Sequence, residues 1–165
     1  MGERKLRAFS PEQGIKKAGD AKQVTTNWHI LKSEGKEYVW DTKMDRIDII
    51  RQGLPYASIE VIGKRINAPV KDVLEIFGMP QTTYNKKRRE HSMLSGRDSE
   101  LILLLTELID YGVEVFNKEE DKFQRWLKKP NVSLGGHTPE QLFDSATGIQ
   151  EVRNSLNRLE YGNLA

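Results

Sequence analysis

Residues 69–91 read PVKDVLEIFGMPQTTYNKKRREH. Pro69 opens a helix where a missing amide hydrogen costs nothing, and Val70, Val73, Leu74 and Phe77 recur at the spacing of one helical face. Gly78 supplies the left-handed backbone that ends a helix, and Met79-Pro80 turns the chain. A second helix, 81–91, follows with Tyr84 turned inward. Two helices separated by three residues that include a glycine have helix-turn-helix spacing. The second helix is also the most basic in the chain. The assignment rests on turn and charge together, because apolar periodicity alone specifies only a small helical bundle.

A helix of this kind fits the major groove, its first residues reaching base edges while flanking cations neutralise phosphates. With Tyr84 inward, Gln81, Thr82 and Asn85 face the groove, and Gln and Asn side chains can pair bidentately with adenine. Lys86 and Arg89 lie one turn further on and read as phosphate contacts, with Lys87 and Arg88 as helpers. The competing reading of 86–89 is a solvated, dipole-favoured helix end.

Upstream, Met44, Ile47, Ile50 and Leu54 space as one face of a helix that Gly53 ends. Pro55 opens another, running to about Asn67 with Ile59, Ile62 and Ile66 inward. Residues 1–40 are rich in Lys, Gly, Ser and Gln and show no sustained period. They are expected to form a partly ordered arm with short strands at 24–28 and 38–40, Trp28 and Trp40 covering apolar surface of the next domain.

Downstream, Ser95 with Asp98 caps a long helix, 96–117. Leu101, Leu104, Leu105, Leu108, Ile109, Val113 and Phe116 mark its core face, while Ile102, Leu103 and Val115 widen the stripe beyond what one face needs. That excess predicts a second contact, with homodimerisation preferred over burial within the chain. A short helix, 119–126, turns Phe123, Trp126 and Leu127 inward. Residues 125–165 then read RWLKKPNVSLGGHTPEQLFDSATGIQEVRNSLNRLEYGNLA. Pro130 and the Gly135-Gly136 pair force a turn at 131–136. Thr138, Pro139 and Gln141 form a capping box with a first-turn proline, and Thr147 with Gln150 repeats the device for a final helix. Ile149, Val152, Leu156 and Leu159 make its inward face until Gly162 stops it. Arg153, Asn154, Asn157, Arg158 and Tyr161 are left on the outer face.

With 37% hydrophobic and 30% charged residues and no cysteine, the chain reads as an all-α protein without disulfides or thiolate sites. No apolar run is long enough to cross a bilayer and the N-terminus lacks a secretion signal, so no membrane association and a cytoplasmic location are expected. The net charge of +2 conceals a division: residues 1–40 and 41–94 each carry +3, and residues 95–165 carry −4. A polyanion-binding part joined to a protein-binding part has this form. The units read as an arm (1–40), a helix-turn-helix domain (41–94), and a long helix with a small C-terminal domain (95–165).

The residues Trp126, Leu127, Pro130, Asn131, Leu134, Gly135, Gly136, Thr138, Pro139, Leu142, Asp144, Thr147, Gly148, Val152, Leu159, Glu160 and Gly162 stand in an order that resembles the toxin-binding domain of the Xre/MbcA/ParS antitoxins. The resemblance extends back to about Leu54. The chain departs from the usual Ser or Thr of that family at Pro80, which removes a capping oxygen from the recognition helix. The resemblance implies a non-enzymatic antitoxin that binds a RES-domain, NAD-consuming toxin through its C-terminal domain and operator DNA through its helix-turn-helix. It also implies that Gly162, Asn163, Leu164 and Ala165, with the chain's carboxylate, approach the toxin's active site beside the outer face of the last helix. The alternative function is a dimeric helix-turn-helix regulator with no toxin partner. His29, His91 and His137 have no partners at metal-ligand spacing, and no nucleophile elbow, phosphate loop or dinucleotide fingerprint is present, so neither cofactor nor metal nor catalysis is expected.

Overall fold

The computed structural model describes residues 28–162. Its elements run β1 (His29–Ser33), β2 (Lys36–Trp40), α1 (Lys43–Gln52), α2 (Ser58–Ile66), α3 (Val70–Phe77), α4 (Gln81–Arg89), α5 (Gly96–Val115), α6 (Glu120–Leu127), two 3-10 turns (Val132–Leu134 and Pro139–Leu142), and α7 (Ala146–Glu160). Helix dominates, as the sequence indicates, with one antiparallel hairpin added.

The other elements are assembled on α5. Ser95 Oγ accepts from the Asp98 N–H at 3.1 Å and starts the helix. Leu101, Ile102, Leu103, Leu105, Leu108 and Ile109 are all buried. A helix apolar around most of its circumference has to be surrounded. Here α1, α2 and β1 pack on it from the helix-turn-helix side, and α6 and α7 from the C-terminal side. The wide stripe is therefore intrachain core. Ile102 and Leu103 are both 0% exposed, which removes them as the site of a homodimer contact. Burial of each side chain contributes about 1.5–3 kcal/mol, so a charge at either position is expected to unfold the chain, not to separate subunits.

The hairpin shows why α5 needs so little outside help. Leu31, Ser33, Tyr38 and Trp40 face inward and are buried, while Glu34 (φ 52) and Gly35 (φ 74) make a two-residue turn whose left-handed backbone matches the strand twist. Trp40 Nε1 donates to Glu107 at 2.8 Å, and Arg46 of α1 donates to both oxygens of the same carboxylate at 2.9 and 3.0 Å. One turn along α5, Asp110 is bonded by His29 at 2.8 Å and Arg65 at 2.5 Å. Burial pushes the Asp110 carboxyl up, but the His29 and Arg65 contacts outweigh it and hold the group below its ordinary range. The acidic edge of α5 thus fastens β1, β2, α1 and α2 in place. Of the strands expected at 24–28 and 38–40, the second lies within β2, while 24–27 fall outside the described residues. Trp40 covers core as expected; Trp28 does not, being 60% exposed.

Several helix details differ from the sequence reading. In α1 the inward face is Arg46, Ile49 and Ile50, set by the Arg46–Glu107 pair, with Gly53 against Met93 and Leu94, which leaves Met44 63% exposed. Pro55 does not open α2; it bridges to Met93, and the helix begins at Ser58. Helix α4 ends at Arg89, two residues short, with His91 at φ 50. Pro139–Leu142 is a single 3-10 turn in which Gln141 Oε1 accepts from the Thr138 N–H at 2.9 Å. The cap of α7 is Ser145, whose Oγ accepts from Gly148 N–H at 3.1 Å, and Thr147 sits inside the first turn.

In the C-terminal part, Phe116, Phe123 and Trp126 form an aromatic cluster with ring centroids 5.8 to 6.2 Å apart. The Phe123 ring lies against Gly112 so closely that any Cβ there would overlap it. The forced turn at 131–136 is as expected: Asn131 Oδ1 caps it by accepting from Ser133 N–H at 2.9 Å, and Gly135 and Gly136 adopt φ 65 and 84.

Candidate interaction surfaces

Helix α4 is presented by α3 and a tight turn. Gly78 is left-handed, and the Met79 N–H reaches back to the Leu74 carbonyl at 2.9 Å. Pro80 sits in extended conformation with no side-chain cap, so the first-turn N–H groups of α4 face outward unblocked. The helix is anchored by Tyr84, 5% exposed, whose hydroxyl donates to Glu60 of α2 at 2.7 Å. Burial, then this bond, pushes the Tyr84 pKa far above that of an ordinary phenol. The Glu60 carboxylate is held below its usual range, first by the Tyr84 hydroxyl and then by Arg88.

That anchoring fixes which residues point out. Gln81, Thr82, Asn85, Lys86 and Arg89 are exposed along one side. Gln81 Nε2 donates to Asn85 Oδ1 at 3.1 Å, which preorders the two amides, and Arg89 Nε donates to the Asn85 carbonyl at 3.2 Å. Arg88 turns the other way. Its Nε meets Glu60 at 3.0 Å and its Nη1 meets Glu34 at the hairpin turn at 2.6 Å. His91 Nδ1 lies 3.5 Å from the same Glu34 oxygen. Arg88 is a tether between α4, α2 and the hairpin, with its charge already matched. Sequence reasoning missed this because Glu34 lies in a segment read as an arm.

At the other end, α7 buries Ile149, Val152, Ser155 and Leu156. The residues expected on its free face divide. Arg153 stacks over the Tyr111 ring at 4.8 Å. The Tyr111 hydroxyl lies in hydrogen-bond contact with the side chains of both Asn157 and Glu160, and burial together with the Glu160 bond pushes that phenol up to about 12. Arg158 is half-buried and reaches the Ser133 carbonyl at 3.5 Å. Asn154, half-buried, bonds along its own helix to Gln150 and Glu151 at 3.1 Å. Tyr161 is 73% exposed as expected, and Gly162 turns with φ 65. Leu159, expected inward, is 41% exposed. The contacts of Asn157 and Glu160 hold the last turn of α7 to Tyr111 of α5, and Leu159 is left at the margin of the core.

A further apolar side chain is Val132, 96% exposed. Its turn is tied to α7 through Ser133, whose hydroxyl lies 2.7 Å from that of Ser155. The large apolar side chains left exposed in this part are Val132, Leu159 and Tyr161, while Arg153, Asn154, Asn157 and Arg158 are each partly buried. Asn163, Leu164 and Ala165 lie outside the described residues. Among the described residues no helix is long and apolar enough to cross a membrane, and no three His, Asp or Glu side chains cluster as metal ligands.

Comparison with known proteins follows the same division. A family described as the antitoxin Xre-like helix-turn-helix domain matches residues 45–107, from α1 into α5. The antitoxin Xre/MbcA/ParS C-terminal toxin-binding domain matches residues 112–162, from the end of α5 through α7. An Antitoxin Xre of Photorhabdus laumondii is 29% identical over 114 residues, covering 69% of this chain and 77% of its own. An Antitoxin Xre of Yersinia enterocolitica is 27% identical over 116 residues, covering 70% and 78%. A protein of a Sphingobium species named Prs ADP-ribosylating antitoxin is 27% identical over 130 residues, covering 74% and 82%.

Proposed function

We propose, from the premise that this chain belongs to the Xre/MbcA/ParS antitoxins and carries both their helix-turn-helix and their toxin-binding domain, that it neutralises a RES-domain, NAD-consuming toxin and binds its own operator. The observation that carries the reading is that two unlike sets of exposed groups occur in one chain: free polar and cationic side chains on α4, and the large apolar side chains Val132, Leu159 and Tyr161 in the C-terminal part. The first suits a duplex, with Gln81, Thr82 and Asn85 at base edges and Lys86 and Arg89 at phosphates. Arg88 is left out of that set, its charge being matched by Glu34 and Glu60. The second suits a protein, since exposed Val132, Leu159 and Tyr161 gain from burial in a partner.

On the toxin side, Tyr161 and the segment Gly162, Asn163, Leu164 and Ala165 are the part proposed to reach a nucleotide cleft. Arg153, Asn154, Asn157 and Arg158 brace the helix behind it, and the protein works as a homodimer in the cytoplasm. It acts by binding, without catalysis or cofactor.

The test is a chain truncated after Tyr161, co-expressed with the cognate RES-domain toxin and assayed for complex formation and cellular NAD. A retained complex with NAD unprotected supports plugging by the tail. Full protection sinks the plug and leaves occlusion by the outer side of α7, with exposed Leu159 and Tyr161. If the full-length chain forms no complex with the RES-domain protein, the toxin reading fails and the chain is a DNA-binding regulator.

A further inference from the structure

The hairpin has a second face, which none of the described residues covers. Leu31, Ser33, Tyr38 and Trp40 point into the core, so Trp28, Ile30 and Lys32 on one side and Glu37 and Val39 on the other point out. Trp28, Ile30 and Val39 are 60%, 47% and 40% exposed. Surface residues this large and apolar on adjacent strands are uncommon without a partner.

We propose that this outer face is the contact between two copies of the chain, packed hairpin on hairpin about a two-fold axis parallel to the strands. The register carries the argument. Ile30 pairs with Val39 and Lys32 with Glu37 across the hairpin. A two-fold along the strands lays β1 of one copy over β2 of the other at the same level. Ile30 then stacks on Val39 of the partner subunit, and Lys32 on Glu37 of the partner subunit, twice over. The face is its own complement in both apolarity and charge. Lys32 Nζ already lies 3.1 Å from Glu37 Oε1, with the two side chains 77% and 48% exposed, so the pair is free to be shared across the axis. A strongly acidic or basic partner gains nothing from a neutral face, and an isologous contact is the commonest symmetry for a soluble pair. The hairpin is also fixed to the recognition helix through Glu34 and Arg88, so pairing two hairpins sets the spacing of two α4 helices, as a two-fold operator requires.

This gives a location to the homodimer of the proposed function, and its test reads mass alone, needing neither DNA nor toxin. The full chain is examined by sedimentation equilibrium at micromolar concentration. The wild type is expected at twice the chain mass, and Ile30→Glu with Val39→Glu at the chain mass with an unchanged far-UV spectrum, because both side chains are already exposed and the monomer still folds; its melting temperature falls only by the stabilisation that association gives the wild type. As a second measure, Lys32→Glu alone is expected to weaken the dimer at least tenfold, and adding Glu37→Lys to restore it. A monomeric wild type overturns both the face and the homodimer, and covering of the face by residues 1–27 of the same chain would give that result. A dimer that survives Ile30→Glu with Val39→Glu and ignores the charge swap overturns the face while leaving the homodimer standing. Loss of toxin or operator binding in a chain that dimerises as described would sink the proposed function and not this contact.

Discussion

Helices α4 and α7 each lay one face on the body of the protein, yet they spend their cations in opposite directions. In α4, Tyr84 and Arg88 form the inward anchor, and Lys86 and Arg89 are left to solvent. In α7, Arg153 lies over Tyr111 and Arg158 reaches back to the 3-10 turn, so the end of that helix shows Leu159 and Tyr161. A basic residue on a helix is thus no guide to its partner until the acidic and aromatic groups around it are placed. The surface left by α4 suits a polyanion; that left by α7 suits the apolar part of another protein.

The largest expected effect separates the two regions outright. A Cβ at Gly148 would overlap the Leu142 carbonyl oxygen and come within 3.1 Å of Ser145 Oγ, the cap of α7. Backbone cannot swing aside as a side chain does, so Gly148→Ala is expected to cost about 3 kcal/mol. The loss should fall on the C-terminal side: toxin co-purification disappears while operator affinity, read by anisotropy, stays within about twofold of wild type, since a cost confined to one region leaves distant contacts intact. An equal loss of both activities would show that the surfaces are not independent.

A second change acts on α4 alone. Lys86→Ala with Arg89→Ala removes two free cations, and each phosphate contact contributes about 0.9 to the slope of log affinity against log salt. The slope is expected to fall by roughly two units across all sequences tested, with toxin binding untouched. An unchanged slope removes these residues from the DNA surface.

How much of this was readable beforehand follows from sequence distance. Gly78 and the spacing of Val73, Leu74 and Phe77 are local signals, and they placed α3, its turn and α4 correctly. The turn at 131–136 and the inward set Ile149, Val152 and Leu156 were equally legible. The contacts that decide which outer residues are free are long-range: Glu34 with Arg88, Asp110 with His29, and Tyr111 with Asn157 and Glu160. Periodicity says that a side chain leaves the core, not that a carboxylate elsewhere in the chain will meet it. The same limit explains the misjudged stripe on α5, because the hairpin that covers one side of it was read as an arm. Its Glu34-Gly35 turn between the inward residues Leu31, Ser33, Tyr38 and Trp40 was the signal available.

The smallest expected effect tests whether Arg88 belongs with the free cations or with the anchor. Arg88→Gln removes the links to Glu34 and Glu60, both partly exposed, and is expected to cost about 1 kcal/mol of stability. If Arg88 is a tether, the salt slope of operator binding stays at the wild-type value, in contrast to the Lys86 and Arg89 pair. The pH dependence supplies an independent sign. Glu60 has its pKa lowered from 4.5, first by the Tyr84 hydroxyl and in part by Arg88. A carboxyl depressed in the folded state contributes stability that is present above its unfolded pKa and is lost as pH falls through its folded one. Wild type therefore gives up, on acidification through the carboxylate range, the part of that stability that Arg88→Gln has already lost. The difference in melting temperature between the two proteins should be full at neutral pH and close as pH drops below about 4. A difference that holds constant into acid would mean that Arg88 acts without Glu60, and a slope reduced by a full unit would return it to the phosphate contacts.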